Sequence, residues 1–349
     1  MSTTGTAQKS QRKRKKKTTR NKVKKQATTP TQGSTGPTPV PVAKTKTKRS
    51  KGPDISVDVG RSLDTPKDRY DADVEANASA LDKIYDRFYE ANGQQRLEPK
   101  LRKRLYSFMG KGTTDYLKAP IALKDFQTFV AKGKQLYRVT SQALRSSGST
   151  DPKAVEAKLA DGDYFRVYND TYPGTKADLP GKARRIIVNV KTQEAALRVS
   201  EALTTLYGDK DVGPYVRQFK VYLSGKQGNT DKVKYDKLVV YYRTDDTPDS
   251  SDKVGDAIAA TIEKAAKPSD RETAFAPFYS RVAPGIAWSE EPKYYVSTLK
   301  GSFTKTRRDI IADVIEKNPN VTDKAAFAKL VADAFRAAKV DADRPAQHL

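Results

Sequence analysis

RRIIVNVKTQEAALRVSEALTTLY, Arg184 to Tyr207, sets a strand against a helix within two dozen residues. Its first part, RRIIVNV (Arg184 to Val190), is dominated by Ile and Val, which favour a pleated, half-buried surface and predict a strand. Thr192 then offers a side-chain oxygen to the first free N–H groups of a helix. Ala196, Val199, Leu203 and Leu206 recur on one helical face as far as Tyr207. Two more strand candidates follow, VRQFKVYLS (Val216 to Ser224) and LVVYY (Leu238 to Tyr242), and one precedes, YFRVY (Tyr164 to Tyr168).

Working outward, apolar spacing predicts helices from about Lys253 to Ala266, Lys305 to Glu316 and Lys324 to Lys339, with Trp288 in a loop bounded by Pro and Gly. Upstream, Leu81, Ile84, Tyr85 and Phe88 share a helical face. Further helices are predicted over Lys100 to Met109 and Leu123 to Leu144, with breaks at Gly110 and Gly133. The pattern is α+β: a mostly antiparallel sheet packed with helices, preceded by a disordered basic N-terminal tail. The expected division is a tail and linker over 1–70, a helical part over 71–150 and an α+β domain over 151–340.

Charge marks the tail. Residues 1–53 hold 16 Lys or Arg and no Asp or Glu, two-thirds of the chain's net +24. Nothing in that segment offsets the entropy of ordering it. A basic tail attracts phosphate-bearing or acidic partners without choosing among them; a nonspecific solubilising role is the first reading, with nucleic acid contact and an export, delivery or docking role as alternatives. No apolar run approaches a membrane span, and none follows the basic stretch as in a signal peptide, so a soluble, cytoplasmic protein is expected, with secretion or delivery into a host cell as the alternative.

The chain has no cysteine, and its single histidine, His348, is the penultimate residue. Disulfides and thiolate chemistry are excluded. A histidine so near a terminus is expected to fray and is a poor foundation for an active site. Proton transfer is left to lysine, tyrosine and carboxylate. In QFKVY, alternation places Lys220 with Gln218 and Tyr222 on one face and Phe219 and Val221 on the other. Arg166 stands similarly with Tyr164 and Tyr168, and Arg184 or Arg185 extends a positive site suited to phosphate or carboxylate. Solvated strand positions are the plainer reading of the same pattern. No glycine-rich nucleotide fingerprint, P-loop, serine elbow or histidine metal site is present. A Mg2+ site from Asp163, Asp236, Glu290 and Glu291 stays open as a minor alternative.

The segments YFRVY, GKARRIIVNVKTQEAALRVSEAL, GPYVRQFKVYLS, YDKLVVYY, APGIAWSEEP and SFTKTRRDII, in this order, resemble the Hop-class type III effector family of bacterial plant pathogens. The resemblance runs from about Leu81 to Leu330. Related proteins serve as lyase components in lanthipeptide biosynthesis, and the family in turn resembles the phosphothreonine lyases. It implies a metal- and cofactor-independent elimination of phosphate from phosphoserine or phosphothreonine, giving dehydroalanine or dehydrobutyrine. The implied partners are a phosphorylated precursor peptide and a separate kinase.

By the same resemblance, Phe219, Lys220 and Val221 match the segment whose lysine is the base. Gly162, Asp163, Tyr164 and Phe165 match a motif that ends in a histidine acid, but here Arg166 follows. Either Arg166 clamps phosphate while Lys237, Tyr222 or Tyr242 protonates the leaving group, or the domain only binds. Cations around Lys220 are expected to depress its pKa to about 8. Arg166, Arg184, Arg185 and Arg307 are the implied phosphate grip, and Glu290 an orienting carboxylate, with a plain surface residue as its alternative. The second biological reading is an effector that modifies or binds a host protein.

Overall fold

Antiparallel pairing brings the β-branched segments side by side. The computed structural model describes residues 67–349 apart from 113, 133–135, 174–180, 227–232, 245–251, 295, 297 and 300. The basic tail lies outside the described residues. The described strands are β1 (Tyr137–Ser141), β2 (Asp163–Asn169), β3 (Ala183–Val188), β4 (Val216–Leu223), β5 (Leu238–Arg243), β6 (Ser280–Ala283) and β7 (Ile286–Glu290). They form one sheet in the order β1-β2-β4-β5-β3-β7-β6, with every neighbouring pair antiparallel. The α+β architecture with an antiparallel sheet is as expected.

Register assigns each side chain to a face, because directly paired residues share one. Thr140, Arg166, Lys220, Val239, Ile187 and Ala287 form one row across the sheet. Tyr168, Gln218, Tyr241, Arg185 and Ser289 form the next row on the same face. The opposite face carries Phe165, Val167, Phe219, Val221, Leu238, Val240, Ile186, Val188, Ile286 and Trp288, all buried.

Helices cover both faces. The apolar face meets α3 (Leu123–Lys132), α4 (Pro152–Leu159), α5 (Gln193–Thr205) and α6 (Lys253–Ala265) in one hydrophobic core. Phe126 of α3 and Phe165 of β2 pack as tilted rings, with centroids 4.6 Å apart and planes 57° from parallel. The face that carries Lys220 is only partly apolar. Its Ile187, Val239 and Ala287 join a second core with α1 (Lys67–Phe88), α2 (Leu101–Met109), α7 (Phe303–Lys317) and α8 (Lys324–Ala337). The result is three layers, helices on a sheet on helices. Thr192 caps α5 as expected, its oxygen accepting from the Ala195 N–H at 3.1 Å.

Several elements differ from the sequence reading. The helix expected from Leu123 to Leu144 ends at Lys132, and YRVTS becomes the edge strand β1, burying Tyr137 and Val139 while Arg138 faces out. Trp288 is not in a loop. It lies in β7, opposite Ile186, and burial of the indole against the first core outweighs the turn signals of Pro284 and Gly285. The hairpin β6–β7 was not legible, because each strand is short. The first helix begins at Lys67, ahead of its apolar stripe. No helix among the described residues is long and apolar enough to cross a membrane.

Candidate functional site

At the β2–β4 ladder, Arg166 and Lys220 are directly paired. The lysine and arginine expected to project together from neighbouring strands do so. The Lys220 side chain is 14% exposed and its Nζ lies 2.9 Å from Asp236 Oδ2. The same ammonium sits 4.2 Å from the centroid of the Tyr164 ring, a cation–π contact. Burial pulls the Lys220 pKa down, but the Asp236 carboxylate more than offsets it, and the net shift is upward. The expected depression towards 8 is therefore corrected: the adjacent carboxylate, whose charge went uncounted, dominates the more distant Arg185.

Arg185 shares this face. Its guanidinium pairs with Glu291 and lies 5.2 Å from the Tyr241 ring centroid. Arg184 is turned to the opposite face, as alternation requires, where it stacks on Trp288 at 4.3 Å and donates to Asp252 Oδ2 at 2.8 Å. Tyr242 donates to the same carboxylate oxygen at 2.6 Å, and Glu290 lies 3.6 Å from Arg184. Glu290 is 1% exposed, so it is a buried counter-ion rather than a surface carboxylate.

The other sequence candidates scatter. Lys237 is fully buried, and its ammonium donates to the Val190 carbonyl at 2.7 Å over the Tyr116 ring. Burial lowers its pKa to about 8. Tyr222 packs in the first core edge-on to Tyr164, and burial raises its pKa. Its hydroxyl lies against Gly162, where φ is +71° and an added Cβ would come within 2.7 Å of it. Glycine at the start of the GDYFR motif is thus required by both backbone and packing.

Arg307 is buried over Phe303 at 4.0 Å and spends its donors on the C-terminal segment: Pro345 O at 2.7 and 3.1 Å and Gln347 O at 3.4 Å. It holds chain, in place of the expected phosphate. His348 does not fray. Its N–H donates to Glu290 Oε2 at 2.8 Å, its Nδ1 meets Lys339 O at 3.0 Å and its Nε2 faces Arg307 at 3.4 Å. Burial and the nearby guanidinium lower its pKa to about 4, so the ring is neutral near pH 7. The four carboxylates considered for Mg2+ are dispersed. Asp236 faces Lys220, Glu290 faces Arg184, Glu291 faces Arg185, and Asp163 accepts from the Ala143 N–H.

What the sheet does assemble is a cavity of about 230 Å³ where β2, β4, β5 and β3 end. Arg145, Arg166, Arg184, Arg185, Arg217, Arg243 and Lys293 line it, and Glu291 is the one acidic residue among the lining. Sequence reasoning missed Arg145, Arg217 and Arg243. Arg217 and Arg243 flank the strand motifs directly, and only strand order shows that they converge. Arg166 Nε donates to Gln142 Oε1 at 2.9 Å, which steadies the guanidinium at the mouth.

The HopA1 effector protein family model matches residues 154–347, which include every strand around this cavity. The chain belongs to that family. It is also similar in fold to two solved structures, the effector proteins from Pseudomonas syringae pv. tomato strain DC3000 and pv. syringae strain 61. Identity is 14% in both cases, with TM-scores of 0.58 and 0.55; each match covers 81% of this chain and 99% of the other. No curated protein sequence matches the chain. The expected Hop-class family thus holds, and for this member the fold likeness extends well upstream of the matched region.

Proposed function

We propose that this effector-family protein grips a phosphorylated serine or threonine of another protein in the arginine-lined cavity. The observation that carries the reading is the excess of guanidinium groups over the one lining carboxylate, which is itself committed to Arg185. A phosphomonoester brings roughly two negative charges and three acceptor oxygens, the complement of several convergent arginines. Delivery into another cell, with the basic tail serving export or docking, is the biological setting this reading fits. Titration of the chain with a phosphoserine peptide and its unphosphorylated twin tests it. The phosphorylated form is expected to bind at least tenfold tighter, about 1.4 kcal/mol, and Arg166→Ala to remove most of that difference. Equal affinity for the two peptides would sink the proposal.

A second reading follows from the cross-strand pairing of Lys220 with Arg166, the latter lining the cavity. Lys220 would take the α proton of the phosphorylated residue, the β C–O bond would break, and inorganic phosphate would leave with the bonding electrons. The product is dehydroalanine or dehydrobutyrine, as in lanthipeptide biosynthesis with a separate kinase supplying the phosphopeptide. Asp236 keeps Lys220 protonated, so such a base works through its minor neutral fraction and its rate climbs with pH. Mass spectrometry separates the readings: elimination removes about 98 Da, hydrolysis about 80 Da, and binding alone nothing. Lys220→Ala is expected to abolish any 98 Da loss, and a fully active variant would remove Lys220 from the base role.

A further inference from the structure

A second cationic site lies at the exposed side of α2. A groove of about 640 Å³ is lined by six cationic side chains, among them Lys100, Lys103, Lys111 and Lys234, with Phe108 and Val233 as its apolar surface. Glu98, next to Pro99 of the groove in sequence, is already shared by Arg87 at 2.8 Å and Arg104 at 2.7 Å. The four lysines have no ion-pair partner among the described residues.

Lys100, Lys103 and Arg104 crowd the first turn of α2, which contains no acidic residue. Like charges at these spacings cost a few tenths of a kcal/mol per pair, roughly, and oppose the helix dipole as well. The far wall is fixed by backbone: Lys111 bridges Lys234, and a Cβ on Gly112 would stand 2.8 Å from the Lys234 carbonyl carbon. Leu97, 94% exposed, lies beyond the Lys100–Lys103 ridge in the adjoining hollow, and Phe108 is 38% exposed.

We propose that this groove docks an acidic segment of a partner protein, with aliphatic residues of that segment resting on Phe108 and Leu97. Charge complementarity sets the sign of the partner. The concave shape favours a peptide over a lipid surface, because converging ammonium groups inside a groove reach a strand of chain that a flat headgroup layer cannot follow. Exposed apolar side chains beside unpaired lysines explain why the surface needs both kinds of contact. The site is separate from the arginine cavity and does not depend on what that cavity binds.

The test uses the full chain and a labelled short Glu-rich peptide carrying two leucines, with binding read by fluorescence anisotropy in the presence of saturating inorganic phosphate. Lys103→Glu with Lys111→Glu is expected to weaken binding at least tenfold with an unchanged thermal melt, and replacing the peptide leucines by serine to weaken it several-fold. Unchanged affinity in the double variant assigns binding to the basic tail and overturns the proposal. So does indifference to the leucines, or binding of phosphatidylserine vesicles with no binding of the peptide.

Discussion

Two lysines on neighbouring strands, Lys220 within β4 and Lys237 immediately before β5, meet opposite electrostatic fates. Lys220 keeps its charge because Asp236 lies 2.9 Å away. Its folded pKa is raised, so its contribution to stability is complete below the ordinary lysine value of about 10.4 and is lost as pH rises through the folded value. Lys237 donates to the Val190 carbonyl and lies over the Tyr116 ring, and burial lowers its pKa to about 8 in spite of the more distant charges of Glu272 and Asp115. Here the sign reverses. Between about pH 8 and 10.4 the unfolded chain binds more protons, so stability rises with pH, and below pH 8 the folded state carries a constant penalty. Lys237→Met should therefore stabilise the protein at pH 7, by about 1–2 kcal/mol after loss of the hydrogen bond to Val190, with the gain shrinking towards pH 10. Urea unfolding at both pH values checks this, and a variant that is less stable at pH 7 contradicts it.

At the scale of elements, α6 is tied to the sheet through Asp252. Its Oδ1 accepts from the Gly255 N–H at the helix start, and its Oδ2 receives Tyr242 from β5 and Arg184 from β3. Asp252→Ala removes a helix cap and strands a buried guanidinium, an expected loss of about 3–5 kcal/mol, whereas Asp252→Asn keeps one acceptor oxygen for the Gly255 N–H, loses the one that receives Tyr242 and Arg184, and should cost about 1 kcal/mol less, the value of the cap. Chemical denaturation of the pair decides; a loss below about 1 kcal/mol for the alanine variant would show that Glu290 alone suffices for Arg184. Strands β2 to β5 and helices α5 to α8 were legible because period and composition agreed in each. YRVTS was hidden behind a helical stretch, and Trp288 behind turn residues, since both become strands only through neighbours distant in sequence. The site divides the same way. Alternation placed Lys220 with Arg166, but the cross-strand order needed to bring Arg217 and Arg243 to them is a property of the sheet. Alternation alone already separates Arg184 from Arg185. Asp236 lies outside the strand pattern, so the group that sets the charge of Lys220 left no periodic trace.

For the molecule as a whole, the C-terminal residues close a circuit from the second core to the cavity. Arg307 of α7 holds the carbonyls of Pro345 and Gln347, the Ala346 carbonyl accepts from the Glu290 N–H, and the Glu290 carboxylate faces both His348 N–H and Arg184. Burial lowers the Arg307 pKa to about 9, so the guanidinium remains charged at neutral pH and needs those carbonyls. Removing residues 345–349 leaves that buried cation without its acceptors, and an expected loss of about 3–5 kcal/mol follows. His348→Ala retains every backbone group of the segment and should cost about 1 kcal/mol. The two variants also differ with pH. A histidine whose folded pKa is about 4 favours the fold above its unfolded value of about 6.5 and loses that advantage as pH falls towards 4. His348→Ala should flatten stability across that interval while keeping the neutral-pH fold. Equal tolerance of the truncation and the point substitution at pH 7 would mean that Arg307 finds other partners and that the C-terminal segment rests on the fold without bracing it.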